Sequence, residues 1–350
     1  WSSNNYSWCF YRDKRKVNLN NTCRLCGEES TLNYKLNIAV VIPCYKVKSS
    51  ILSVLNSIGS DIDKIYVIDD SCPEGTGKYV ETQNNDSRVS VLYHDYNKGV
   101  GGAVITGYKK SLEDLMSIIV KIDGDGQMNA ELISNFIRPL INGTADYTKG
   151  NRFFDLNFLS DMPFIRIFGN SILSFVNKLT SGYWNIMDPT NGFTAIHSKI
   201  LHHLPLDKID NRYFFESDML FRLGTIRAVV QDIPLVAVYG EEKSNLNIFK
   251  ITTQFPLKYI KRMFKRIFYS YFLRDFNIAS VELMFGLILF LGGSIYGATH
   301  WYESYITNVA TSSGVIMLAA LPVILGFQLL LSALNYDINN TPDKVIHTFL

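Results

Sequence analysis

The segment Asp123-Gly124-Asp125-Gly126-Gln127 carries the plainest chemistry in the sequence. Two carboxylates one residue apart, with glycines between and after them, offer hard oxygen ligands with little steric obstruction. That arrangement suits Mg²⁺ or Mn²⁺ bridging a diphosphate. Alone, such a pair is also what an exposed acidic turn looks like. A second pair, Asp69-Asp70, again ends an apolar run, and the two pairs together favour a metal-diphosphate site. The cluster Asn97-Lys98-Gly99-Val100-Gly101-Gly102 could cradle a phosphate at a helix start, or serve only to pack that helix closely. Position excludes a nicotinamide dinucleotide loop: the turn after the first strand holds Pro43-Cys44-Tyr45, without glycine.

To gather these groups the chain must alternate strand and helix. Apolar runs at 37–43, 64–68, 89–93 and 117–122 read as buried strands, and 49–60, 75–85 and 101–115 as the helices between them. The order implies a parallel sheet covered by helices, with ligands beyond the carboxyl ends of its strands. Strand one then ends in Pro43-Cys44-Tyr45, strand two in Asp69-Asp70 and strand four at Asp123. Four carboxylates are expected on one rim.

Hydrophobic residues make up 47% of the chain and charged residues 19%, with net charge +2. Such a chain is not disordered, and it lacks the cationic field of a nucleic-acid binder. Five cysteines in 350 residues are no disulfide framework and fit a reducing, cytosol-facing location. The first 37 residues are polar, without the apolar core of a cleavable signal peptide. The apolar excess lies near the C-terminus, where residues 283–302 and 304–336 contain no Asp, Glu, Lys or Arg. Each run can supply the ~20 residues that cross a ~30 Å hydrocarbon core. Spans are expected near 278–299 and 314–334, with Glu282 at an edge and Gly293 and Gly297 allowing close helix approach. A buried helical hairpin in a soluble protein is the alternative.

Before the first span, Ile260, Met263, Phe264, Ile267, Phe268 and Tyr271 form one helical face, opposite Lys258, Lys261, Arg262, Lys265 and Arg266. Beside a membrane, that pattern predicts a helix lying on an anionic leaflet, its basic residues on lipid headgroups. The inter-span loop 300–311 has no Lys or Arg, so the N-terminal part and both chain ends are expected to be cytoplasmic. The expected partition is an N-terminal extension 1–34, a catalytic domain 35–245, juxtamembrane helices 246–275, a transmembrane hairpin 276–336 and a tail 337–350.

Six motifs then occur in one order: Val41-Ile42-Pro43-Cys44-Tyr45, Val67-Ile68-Asp69-Asp70-Ser71, Asn97-Lys98-Gly99-Val100-Gly101, the Asp123–Gln127 segment, Gly150-Asn151-Arg152 and Asp188-Pro189-Thr190-Asn191-Gly192. Over about residues 36–335 the chain resembles family 2 glycosyltransferases of GT-A fold. Within them it is similar to the polyprenyl-phosphate branch, which includes dolichyl-phosphate mannose synthases and bacterial undecaprenyl-phosphate glucosyltransferases. The resemblance implies a Rossmann-like, mostly parallel α/β sheet followed by amphipathic helices and two transmembrane helices. It implies inverting transfer of a hexose from a UDP- or GDP-sugar to undecaprenyl or dolichyl phosphate, with Mg²⁺ or Mn²⁺. The setting would be a bacterial inner membrane or the eukaryotic endoplasmic reticulum, with a homo-oligomer an open option.

Carried over by position, Pro43, Tyr45 and Asp70 would contact the base and ribose, with Asp69 supporting. Asp123 would hold the ribose or the metal shell, and Asp125 and Gln127 the ion. Arg152 would sit on phosphate. Arg166 and Asn170 match the family's acceptor-phosphate arginine and serine, with Asn in place of Ser. Lys243, in Gly240-Glu241-Glu242-Lys243-Ser244, falls near a basic residue of the loop before the juxtamembrane helices. The chemistry agrees independently: a departing diphosphate needs its charge stabilised, and a phosphate acceptor needs cations rather than a base.

Competing readings are a GT-A enzyme attacking through a sugar hydroxyl, with Glu216 or Asp218 as base, and an inactive membrane scaffold. The intact Asp123/Asp125/Gln127 set argues against the scaffold. Outside the resemblance, Cys23 and Cys26 have a zinc-knuckle spacing with Cys9 nearby, but a second pair is missing and an ordinary reduced pair is favoured.

Overall fold

The structure, a computed structural model, describes residues 36–154, 164–235 and 248–350. The alternation of strands and helices expected for the first half is realised as β1 (Ile38–Cys44), α1 (Ile51–Ser57), β2 (Lys64–Asp69), α2 (Thr76–Gln83), β3 (Val89–Tyr93), α3 (Val100–Glu113) and β4 (Ile118–Lys121). Then follow α4 (Ile133–Ile141), β5 (Tyr147–Asn151), α5 (Phe164–Ser181), β6 (Thr194–His197), α6 (Ser198–His202), α7 (Phe215–Ile226) and β7 (Val230–Pro234). The sheet order is β3-β2-β1-β4-β6-β5-β7. β1 and, up to its last residue Lys121, β4 are apolar on both faces and buried, as central strands covered by helices must be.

β6 is antiparallel to both β4 and β5, pairing Lys121 and Lys149 with Thr194. This inserted strand decides where the site lies. β1, β2, β4 and β5 end on the same rim, and β6 begins there. Residues 188–193, which precede β6, and Arg152, which follows β5, are therefore carried to the aspartates.

α8 (Ile248–Ile267) runs into a π-helical turn at Phe268–Arg274. α9 (Ile278–Thr307) starts at a capping box formed by Asn277 and Ser280, and α10 (Ser313–Asn339) returns beside it. Both are long and apolar enough to cross a membrane, and only 22% and 6% of their most apolar 18-residue stretches are buried within the protein. The core helices of a soluble protein would be mostly covered. The hairpin closes through glycines: a Cβ on Gly326 would lie 2.5 Å from the Phe290 nitrogen, and one on Gly293 would lie 3.0 Å from the Ala319 carbonyl oxygen. Glu282 accepts a hydrogen bond from Ser332 across the hairpin at 2.8 Å.

The basic face of α8 departs from expectation. Lys258 pairs with Asp210, Arg262 with the fully buried Asp218 at 2.6 Å, and Arg266 with Asp337. Three of the five cations thus hold the helix to the protein, because acids from three other elements meet them. Lys261 and Lys265 stay exposed. The outward stripe is instead apolar: Leu257, Ile260, Phe264 and Phe268 are 48–71% exposed.

The hairpin is also fastened at its foot, where α10 ends. Asp337 accepts from Trp184 Nε1 at 2.8 Å and from Arg266 and Tyr271. Beyond α10 the chain returns to the sheet, where the buried Asp146 carboxylate accepts from the Ile346 and His347 amides and meets His347 Nδ1 at 2.8 Å. Burial would raise the Asp146 pKa, but these bonds hold it below the usual carboxylate range. His347 stacks on His197 at 4.2 Å.

Candidate active site

The two acidic pairs do different work. Asp69 accepts from the Cys72 and Gly77 amides, both at 2.6 Å, and so shapes the loop into α2. Asp70 accepts from the Lys98 and Gly99 amides, both at 2.8 Å, and meets His94 Nδ1 at 2.7 Å. It fixes the glycine turn, while Gly102 donates to the Asn211 carbonyl at 3.0 Å. Close packing is thus one established role of that glycine cluster. Asp125 accepts from the Gln127 amide at 3.0 Å, and Ser50 Oγ holds the Gly124 carbonyl at 2.8 Å.

Beneath Asp123 lies Lys121, fully buried at the end of β4. Its ammonium is 2.9 Å from Asp123 Oδ1 and 3.2 Å from Glu216 Oε1 on α7. Burial disfavours that charge, yet the two carboxylates hold the ammonium well above its ordinary pKa. Gly192 closes over the pair: a Cβ there would lie 2.5 Å from both Asp123 Oδ2 and Lys121 Nζ. Arg152 grips the buried Asp188 through Nε at 2.7 Å and a second nitrogen at 3.1 Å. Burial opposes ionisation of Asp188, and Arg152 overcomes it, keeping the carboxyl below its usual range. Behind them Lys149, pushed down to about 8 by burial, donates to the Asn191 carbonyl. Burial pushes Asp232 up to about 6.

Two cavities meet at Asp123. One, of about 640 Å³, is lined by Pro43, Tyr45, Asp70, Gly99, Asp123 and Asp125, with Arg212 across from them. The other, of about 1060 Å³, begins at Lys121, Asp123, Arg152 and Glu216 and continues between α5 (Ile172, Leu173, Val176) and α8 (Phe255, Tyr259, Met263). Asp69 and Gln127 line neither. The four expected carboxylates share a rim, but only Asp70, Asp123 and Asp125 face a cavity, since Asp69 turns to backbone amides.

Among the described residues no three His, Cys, Asp or Glu side chains form a cation cage. Lys121 holds Asp123 Oδ1 at 2.9 Å, while Asp123 and Asp125 both line the smaller cavity. Two carboxylates completed by ligand phosphates and water are a donor set that Mg²⁺ or Mn²⁺ accepts. The residues fit such an ion.

The sequence profile described as "Glycosyl transferase family 2" matches residues 39–204. The UDP-N-acetylglucosamine–dolichyl-phosphate N-acetylglucosaminyltransferase of Methanococcus voltae is 30% identical over 218 residues, covering 58% of this chain and 86% of that protein. The chain belongs to glycosyltransferase family 2. This family 2 enzyme is also similar to the undecaprenyl-phosphate mannosyltransferase of Micrococcus luteus, 27% identical over 59% of this chain and 85% of that one. A third relative is the polyprenol monophosphomannose synthase of Mycolicibacterium smegmatis, at 23% over 60% and 80%. The seven-stranded sheet with its inserted antiparallel strand is the transferase's GT-A domain.

Of the remaining residues expected in the transferase's site, Asn170 lines the larger cavity from α5. Arg166 lies one turn earlier on that helix, its side chain outside the described residues, as is all of Lys243. Cys9, Cys23 and Cys26 also lie outside them. Sequence reasoning missed Lys121, Lys149 and Arg212. A lysine inside the apolar run 118–122 was the available signal, because a charge there must find a partner.

Proposed function

We propose that this glycosyltransferase moves a hexose from a nucleoside-diphosphate sugar to a polyprenyl phosphate, with inversion at the anomeric carbon. The observation that carries the reading is the groove between α5 and α8. Its polar end coincides with Asp123, its walls are apolar, and the helices forming it expose further apolar side chains, Phe168 and Phe175 among them. A long isoprenoid fits such walls; a glycan does not. The reading places the α9–α10 hairpin across the membrane, with the catalytic domain and both chain ends cytoplasmic.

In this reading Pro43, Tyr45 and Asp70 border the nucleoside, and Asp123 and Asp125, with Gln127, hold Mg²⁺ or Mn²⁺. When bound, the cation supplies Lewis-acid stabilisation of charge on the departing diphosphate. Arg152, oriented by Asp188, and Arg166 with Asn170 hold the acceptor phosphate, with Lys243 as a further cation. A phosphate oxygen forms the bond to the anomeric carbon as the carbon–oxygen bond to the diphosphate breaks, its electron pair leaving with the nucleotide. The acceptor's second pKa of ~6 leaves it largely dianionic, so no base is required. Glu216, the candidate base for a hydroxyl acceptor, instead accepts from Lys121.

The test is product analysis with purified full-length protein, labelled UDP- and GDP-sugars, undecaprenyl phosphate and Mg²⁺ or Mn²⁺. A mild-acid-labile lipid monophosphosugar is expected. An elongated oligosaccharide as the only product overturns the reading.

A further inference from the structure

We propose that a small arginine-lined pocket at the foot of the hairpin binds a phosphate monoanion, namely the phosphodiester headgroup of a membrane phospholipid. The pocket, about 250 Å³, lies where α5, α7, the π-helical turn and both near ends of the hairpin converge. Its charged lining is Arg227, Arg266, Arg274, Asp275 and Asp337. It shares no lining residue with the groove of the active site.

The arginines are not equivalent. Arg266 is neutralised by Asp337. Arg227 donates to the Asn340 side-chain oxygen at 3.1 Å, and Arg274 to the Thr225 carbonyl. Neither has a carboxylate partner among the described residues. Three arginines against two aspartates leave one net positive charge, which matches a phosphodiester. Guanidinium suits that ligand because its planar donors fit phosphate oxygens. The wall is also kept open by Gly182, at φ 82°, where a Cβ would lie 2.6 Å from the Arg266 guanidinium.

Position selects the source of the phosphate. Asn277, which lines the pocket, caps α9, so the pocket sits at the level where the apolar helix begins. Leu273, Phe276 and Ile278 beside it are 62–64% exposed. Cations at the mouth with bare apolar side chains alongside are what a headgroup and its acyl chains meet at a membrane boundary. At 250 Å³ the pocket is smaller than ordinary cofactor pockets. The inference rests on the hairpin being membrane-spanning, as proposed above.

The test reconstitutes the full chain in phosphatidylcholine nanodiscs and reads the immobilised fraction of spin-labelled phosphatidylglycerol against spin-labelled phosphatidylcholine. Wild-type protein should prefer the anionic lipid, and R227Q/R274Q should lose about fivefold or more of that preference. R227K/R274K should regain part of it. Equal selectivity in wild type and R227Q/R274Q overturns the proposal. Displacement of the label by millimolar inorganic phosphate at constant ionic strength assigns the pocket to a soluble anion and overturns the lipid source. Sugar-nucleotide binding by calorimetry checks that the variant is folded. If the double variant fails that check, Arg274→Gln alone is read instead, since Arg274 is exposed. Wild-type protein released from membranes by alkaline carbonate would show that the spanning hairpin, rather than the pocket, is at fault.

Discussion

The two cavities that meet at Asp123 are built on different principles. The smaller is assembled from short turns at strand ends, fixed by backbone amides bonding to Asp69, Asp70 and Asp125. The larger is assembled from helix faces distant in sequence, held by side-chain ion pairs such as Arg262 to Asp218. The first needs the β1–β4 sheet and the turn at Arg212, but not α8; the second needs α8 to dock. A change on one side should therefore alter donor chemistry, and a change on the other acceptor delivery.

The largest expected effect tests the donor side. Asp125→Asn should lower turnover roughly 100-fold or more, because the charge stabilisation supplied by a cation is worth several kcal/mol. Circular dichroism should be unchanged, and wild-type turnover resistant to chelator would sink the metal assignment. Next, Arg262→Gln leaves Asp218 buried with Arg222 as its remaining cation. A loss of about 3 kcal/mol is expected in detergent unfolding, with acceptor use falling more than donor binding. An unchanged melting curve would mean that other contacts hold α8.

Asp232 supplies a pH signature. Its carboxyl ionises near 6 in the folded protein, against a reference value of 3.8. Below about 4 both folded and unfolded chains hold the proton; between about 4 and 6 only the folded chain does. The stability conferred by that proton is therefore lost as pH rises through 6, by roughly 2 kcal/mol. Asp232→Asn should flatten this slope, and an unaltered profile would assign it elsewhere.

Smaller still, Arg166→Ala should raise the KM for polyprenyl phosphate about tenfold, the cost of one charged hydrogen-bond partner, while calorimetric donor affinity holds. If donor affinity falls instead, Arg166 belongs to the other cavity. Least affected should be Lys261→Gln with Lys265→Gln, at no more than about fivefold per residue on long-chain acceptor. A larger loss would restore the fully lipid-facing basic helix that the sequence suggested.

The donor side was legible because strand periodicity and rim motifs are local. β1 to β4 fall within a few residues of their expected bounds, and Pro43, Tyr45, Asp70, Asp123 and Asp125 come to one cavity. The acceptor side was not. Helical spacing in α8 shows which residues share a face, but not that Asp210, Asp218 and Asp337 await the basic ones. Lys121 and Glu216 lie 95 residues apart, and no spacing rule joins them. β6 is a short buried strand whose direction is set by its neighbours rather than by its four residues.

The clasp between Asp146 and His347 sets an order of events in the making of the protein. Asp146 is synthesised just before β5, yet its carboxylate gains three donors only when a segment 200 residues later arrives. Until the ribosome has delivered both apolar helices, that acid is left with the Val229 amide as its backbone partner among the described residues. A contact of such long sequence separation forms late, after the intervening chain has been placed. Formation of the clasp should therefore report that both helices of the hairpin have already been made, a checkpoint written into the fold.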